Sequence, residues 1–254
     1  MTTENLRRSL KNPVCLALDT PDWPTAESLL ERLGPSLGMV KIGPVLYVRA
    51  AGSVTDWIES GKCPVFLDFK WHDIPHTVSE AIRGISGRSV RLVTIHAQGG
   101  PAMISAAREA AEKKGENRPL VIAVTLLTHL AKGELCLLGI KDRWEGIQRL
   151  GKAALDAGAD GLVMAPGDVV RAREEWGPGP FIVTPGIRFV RPEAGSGDDQ
   201  VLSETPARAL ENGSDLLVVG RPILESPTPE KTLEEILGQC RPEKIRLPGR
   251  RSPP

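Results

Sequence analysis

Eight short apolar runs, each stopped by polar or turn residues, constrain this chain more than any other feature. They are Val14–Asp19, Met39–Gly43, Val65–Lys70, Leu92–Ala97, Leu120–Leu127, Gly161–Ala165, Phe181–Thr184 and Leu216–Val219. The first four begin at 14, 39, 65 and 92, in steps of 25, 26 and 27 residues. Runs of this length between turn residues read as buried strands. Helical patterns fill several of the gaps: Thr25–Leu33, with apolar residues three and four apart, the alanine-rich Pro101–Lys114, the amphipathic Trp144–Ala157, and the short Thr205–Glu211. Gly34, Gly115, Gly158 and Asn212-Gly213 stop them. Strands alternating with helices imply a parallel sheet. Eight repeats in 254 residues fit a single-domain α/β fold, the (β/α)8 TIM barrel. An open doubly wound sheet is the competing arrangement. The strand count and the lack of a GxGxxG turn after the first run favour the barrel.

The barrel is expected over residues 13–240. Residues 1–12 are polar and read as a flexible arm. Residues 241–254 read as a flexible basic tail carrying Arg241, Lys244, Arg246, Arg250 and Arg251 among prolines. Thr128–Ile140 reads as a loop with a short helix. Gly195–Gln200, polar and glycine-rich after the seventh run, reads as a mobile lid.

The 32 basic and 32 acidic side chains cancel, which argues against a nucleic-acid or membrane-surface partner. No apolar run approaches the roughly 18 residues of a membrane span. Met1–Lys11 has no apolar segment of the signal-peptide kind. Four scattered cysteines without a CxxC suit reduced thiols in a cytoplasmic protein. His72, His76, His96 and His129 show neither HxxxH nor HExxH spacing, so no metal site is legible.

In a parallel barrel, function sits at the C-terminal ends of the strands. Here the runs stop in Asp19, carry Lys41, stop in Asp68 and Lys70 with Asp73 just beyond, and reach His96 and Thr128. Asp68 and Lys70 project to one side of a strand. Pro75 bars a regular strand past Ile74 and leaves Asp73 on a loop. A surface ion-pair cluster is the bland reading. Apolar neighbours and the recurrence of charge at strand ends favour a shared site. Alternating signs (Lys41, Asp68, Lys70, Asp73) let all four stay ionised while partly desolvated. Such a set suits chemistry that removes or moves a substrate's negative charge. The last two runs lead into Gly186 with Arg188 and Gly220 with Arg221. That combination suits a phosphate at the end of the barrel where phosphates commonly bind; plain turn glycines are the alternative.

Asp68-Phe-Lys70-Trp-His-Asp73-Ile-Pro-His-Thr77 resembles the signature segment of the orotidine 5′-phosphate decarboxylase family. Leu18-Asp19, Val40-Lys41-Ile-Gly43, Leu127-Thr128, Thr184-Pro-Gly-Ile-Arg188, Asp198-Asp199-Gln200 and Gly220-Arg221-Pro222-Ile223 follow the same family in order. The resemblance implies a homodimeric barrel that converts orotidine 5′-monophosphate (OMP) to UMP and CO2, the last step of de novo pyrimidine synthesis, with no cofactor or metal. It implies Lys70 as proton donor to C6 and Asp68 against the departing carboxylate. Lys41 and Asp73 would complete a Lys-Asp-Lys-Asp network, with Asp73 and Thr77 reaching the partner's site. Asp19 and Lys41 would hold ribose hydroxyls, and Thr128 would lie near the base. Arg188, Gln200, Gly220 and Arg221 would bind the phosphate. His76, Trp71, Thr128–Gly133 and Phe189–Pro192 depart from the family pattern. Arg188 and Arg191 compete for one phosphate role, and Arg188 is preferred. The nearest rival is a sister barrel acting on sugar phosphates with Mg2+. A barrel that binds nucleotide without turnover is the alternative of a different class.

Overall fold

A computed structural model describes residues 1–85, 87–188 and 203–240. The lid and tail expected at 195–200 and 241–254 lie outside the described residues. The eight apolar runs become β1 (Val14–Ala17), β2 (Met39–Ile42), β3 (Val65–Trp71), β4 (Val90–His96), β5 (Leu120–Val124), β6 (Gly161–Val163), β7 (Phe181–Thr184) and β8 (Leu216–Val219). Each pairs in parallel with the next, and β8 pairs back to β1, so the sheet closes into a barrel. Helices follow the strands: α2 (Trp23–Leu33), α3 (Pro44–Ser60), α4 (Pro75–Arg83), α5 (Gly100–Glu112), α6 (Lys132–Leu137), α7 (Arg143–Asp156), α8 (Val169–Trp176), α9 (Pro206–Glu211), α10 (Arg221–Leu224) and α11 (Pro229–Gln239).

The strands read as continuous apolar runs because both of their faces are buried. Outward residues such as Leu16, Val40, Leu67, Val93 and Leu217 pack against the helices. Inward residues such as Cys15, Met39, Phe66, Leu92, Ile122, Phe181 and Leu216 fill the barrel. Where β6 meets β7 only glycine fits. A Cβ on Gly161 would stand 2.0 Å from the Phe181 carbonyl oxygen.

The amino-terminal arm differs from expectation. Thr3–Ser9 is a helix, α1, capped by the Thr2 side chain accepting from the Asn5 N–H. Leu6 is 1% exposed and joins the inner core. Arg7 pairs with Asp215 at 2.8 Å and lies over the Phe181 ring. Asp215 and Phe181 lie more than 170 residues beyond Arg7, so nothing local in the sequence announces these contacts. Asp215 also accepts from Arg173 and from the Ile182 N–H at 2.7 Å each. Asp160, just before β6, accepts from Arg108, Arg118 and the Val121 N–H. These ion pairs sit at the N-terminal ends of the strands, the stability face of a barrel.

Candidate active site

Inward positions on a strand recur every second residue. On β2, β3 and β4 the inward residues Met39, Phe66 and Leu92 belong to the inner core. Two residues onward the same rows turn polar, at Lys41, Asp68 and Thr94. All three are buried, with Lys41 9% and Asp68 7% exposed. Lys41 Nζ lies 3.4 Å from Asp19 Oδ2 and 3.4 Å from Asp68 Oδ2. Lys70 Nζ lies 2.8 Å from that same Asp68 Oδ2. Asp68 Oδ1 accepts from the Thr94 hydroxyl at 2.9 Å.

Electrostatics keep Asp68 and Lys41 ionised. Burial alone would push the Asp68 carboxyl up, but Lys41, Lys70 and the hydrogen bonds from Lys70 and Thr94 hold it below its ordinary value. Burial alone would lower the Lys41 pKa, but Asp68 and Asp19 hold it above that of an ordinary lysine. Both ions are therefore charged at neutral pH despite desolvation.

Lys70 reaches the cluster by an irregular path. From Leu67↔Val93 to Trp71↔Ile95, β3 takes four steps and β4 two, so β3 carries a bulge of two residues. Lys70 has φ 49°, the one positive φ at a non-glycine among the described residues. That conformation costs a non-glycine residue about 1–2 kcal/mol. Bulges re-aim side chains beside active sites. The Lys70 N–H donates to Thr94 Oγ1 at 2.9 Å.

The cluster forms one wall of a cavity of about 650 Å3 at the C-terminal mouth of the barrel. Asp19, Lys41, Asp68 and Lys70 come from the first three strands. Leu126–His129 follow β5. Pro185, Gly186, Arg188, Gly220 and Arg221 follow β7 and β8. The floor is apolar, from Ala17, Phe66, Val124, Val163, Val183 and Val218. Gly186 has φ 79°, and α10 begins directly at Arg221. The cavity thus joins an ionised wall, an apolar floor and an arginine-flanked end that suits a phosphate.

Residues 12–236 match the family described as Orotidine 5′-phosphate decarboxylase / HUMPS. The chain belongs to that family. It is similar to proteins named orotidine 5′-phosphate decarboxylase from Moorella thermoacetica (39% identical over 232 residues, 89% of this chain and 91% of the relative) and Trichlorobacter lovleyi (37% over 236 residues, 92% and 97%). Among solved structures it resembles the orotidine 5′-phosphate decarboxylase of Lactobacillus acidophilus, with TM-score 0.76 and 31% identity over 90% of this chain and 99% of that one. An uncharacterized conserved protein from Geobacillus kaustophilus has TM-score 0.76 and 29% identity, over 90% and 100%.

Of the residues expected from this family's pattern, Asp19, Lys41, Asp68, Lys70, Thr128, Arg188, Gly220 and Arg221 line the one cavity. Asp73 and Thr77 do not. Both are exposed, and Asp73 Oδ1 accepts from the Ile74 N–H at 2.6 Å. Gln200 and Arg191 lie outside the described residues. Thr128 stands four residues past the end of β5, not at it as the run to Leu127 suggests. β5 stops at Val124 because its ladder to β6 runs only from Ile122 to Val124. His96 does not line the cavity. Its ring lies 5.4 Å from that of His72. Its Nδ1 is buried without a hydrogen-bond partner among the described residues. Burial, His72 and Lys70 lower its pKa.

Sequence reasoning missed Thr94. Its signal is a lone hydroxyl inside the run Leu92-Val-Thr-Ile-His, and threonine is common in strands for reasons of shape. No group of three His, Cys, Asp or Glu side chains suited to a metal occurs among the described residues. No described helix is long and apolar enough to cross a membrane.

Proposed function

We propose that this chain decarboxylates OMP to UMP and CO2 without a cofactor, with Lys70 stabilising the C6 carbanion and then protonating it. The observation that carries the reading is the Lys41–Asp68–Lys70 cluster at 2.8–3.4 Å, set beside an end of the cavity lined by Arg188 and Arg221. OMP is a monophosphate with an anionic carboxylate at the opposite end, and the two ends of the cavity match that polarity. The phosphate would lie by Gly220, Arg188 and Arg221, with Gln200 as a further contact. Ribose hydroxyls would meet Asp19 and Lys41, and the base would lie near Thr128.

Breaking the bond from C6 to the carboxylate releases CO2 and leaves an electron pair in the ring plane, with no conjugated sink. A preorganised cation must meet that charge. Lys70 Nζ supplies it and then its proton, so C6–H forms and the lysine is left neutral until solvent returns a proton. Asp68, held ionised, would stand against the substrate carboxylate and favour its loss. The required barrier reduction is near the upper end for enzymes, about 23 kcal/mol. Binding energy from the remote phosphate contributes through orientation.

The reading extends to a homodimer in which Asp73 and Thr77 complete the partner's cavity. Their absence from the cavity wall of their own subunit supports this, as do apolar side chains left exposed at the starts of α3 and α4. Val48 in the first turns of α3 is 81% exposed and Ile74 63%.

The test is OMP added to EDTA-treated protein. The near-ultraviolet band of OMP is expected to disappear, with UMP and CO2 formed one to one. An unchanged band would remove the reading. Turnover of a sugar phosphate restored by Mg2+ would replace it with that of the sister barrels.

A further inference from the structure

We propose that Thr94 is a positioning residue of this reaction, fixing the Asp68 carboxylate and the Lys70 backbone in the one arrangement that aims the ammonium into the cavity. This rests on the decarboxylase reading above. Thr94 is fully buried and is not among the residues lining the cavity, so it acts through others.

Its hydroxyl serves both catalytic partners at once. The hydrogen goes to Asp68 Oδ1 at 2.9 Å, and the oxygen accepts the Lys70 N–H at 2.9 Å. The bulge in β3 explains the second bond, since the extra residues carry the Lys70 amide out of register with β4. The first bond divides the carboxylate. Oδ1 is tethered to β4, so Oδ2 is left to meet Lys70 at 2.8 Å and Lys41 at 3.4 Å. Without the hydroxyl, a part-buried N–H and a carboxylate oxygen each lose a partner. Lys70 can then leave its positive φ of 49° for the right-handed region, and its side chain moves with the backbone. A misplacement of about 1 Å costs roughly 10²-fold in rate. The phosphate would bind by Arg188, Gly220 and Arg221 and the ribose by Asp19 and Lys41, none of them a partner of the Thr94 hydroxyl, so UMP affinity should not follow.

The experiment compares OMP turnover and UMP binding in wild type, Thr94→Val and Thr94→Ser. Valine keeps the shape and removes the donor; serine keeps the donor and removes a methyl. Thr94→Val is expected to lose about 10²-fold in kcat with UMP affinity unchanged, and Thr94→Ser to recover most of that rate. A Thr94→Val enzyme as fast as wild type overturns the proposal. So does Thr94→Ser falling as far as Thr94→Val, which would make packing the cause. If Thr94→Val fails to fold by circular dichroism, Thr94→Ser decides alone: a loss beyond about tenfold overturns, and a smaller one supports. A wild type that makes no UMP would instead remove the decarboxylase reading. A crystal structure of Thr94→Val (or of Thr94→Ala should valine not fold) would then decide. Lys70 leaving its positive φ supports the positioning role, and Lys70 and Asp68 left unmoved overturn it.

Discussion

An aspartate as buried as Asp68 is costly unless its charge is matched on every side. Here two ammonium groups meet Oδ2 and a hydroxyl meets Oδ1. The folded carboxyl therefore titrates below its ordinary value of 3.8. Its contribution to stability is full above that value and is lost as pH falls through the folded one. Asp68→Asn leaves Lys41 and Lys70 without their shared counter-ion and should cost about 3–5 kcal/mol at pH 7. Urea denaturation should show this gap narrowing as the pH is lowered from about 5. A gap independent of pH would mean that the Asp68 charge does not carry the stability. At this scale the sequence was partly legible. Period-two alternation put Asp68 and Lys70 on one side, and charge recurring at strand ends pointed to Asp19 and Lys41. The bulge and the positive φ of Lys70 were not legible, because they depend on the register of β3 against β4. Thr94 gains its meaning only from that register.

The elements show what a local pattern does and does not carry. Parallel strands buried on both faces must be apolar throughout, so all eight could be read directly. Their ends were less clear. Arg91 interrupts the apolar pattern, so β4 begins at Val90, two residues earlier than its run suggests. α3 is 17 residues long but broken at Ala50 (φ −144°, ψ 36°), which blurs its periodicity. α1 has one buried apolar side chain, Leu6, and joins an inner core drawn from the whole length of the chain. Leu6→Ala should lower stability by about 2–5 kcal/mol with kcat for OMP unchanged, because α1 closes the end of the barrel away from the cavity. Chemical denaturation beside the activity assay checks this. Unchanged stability would mean that α1 does not seal the inner core.

At the scale of the whole molecule, closure brings side chains from β1, β2, β3, β7 and β8 to one mouth. The charged wall and the arginine-flanked end thus face one cavity though they lie more than 100 residues apart in sequence. Asp73 and Thr77 are not among the residues brought to that mouth. If these complete a partner's site, Lys70→Ala and Asp73→Ala, each inactive alone, should regain activity when mixed and allowed to exchange subunits. Statistical exchange of a two-fold dimer would leave roughly a quarter of the sites intact. No recovery despite demonstrated exchange would confine the site to one subunit. In the proposed mechanism the chemistry rests on the Lys70 ammonium, and the direct measurement is OMP turnover by Lys70→Ala beside UMP binding by the same variant. Turnover is expected to fall by at least about 10³-fold with UMP still bound, since the phosphate and ribose contacts lie elsewhere. Substantial residual turnover would contradict the assignment of Lys70 as the cation and proton donor.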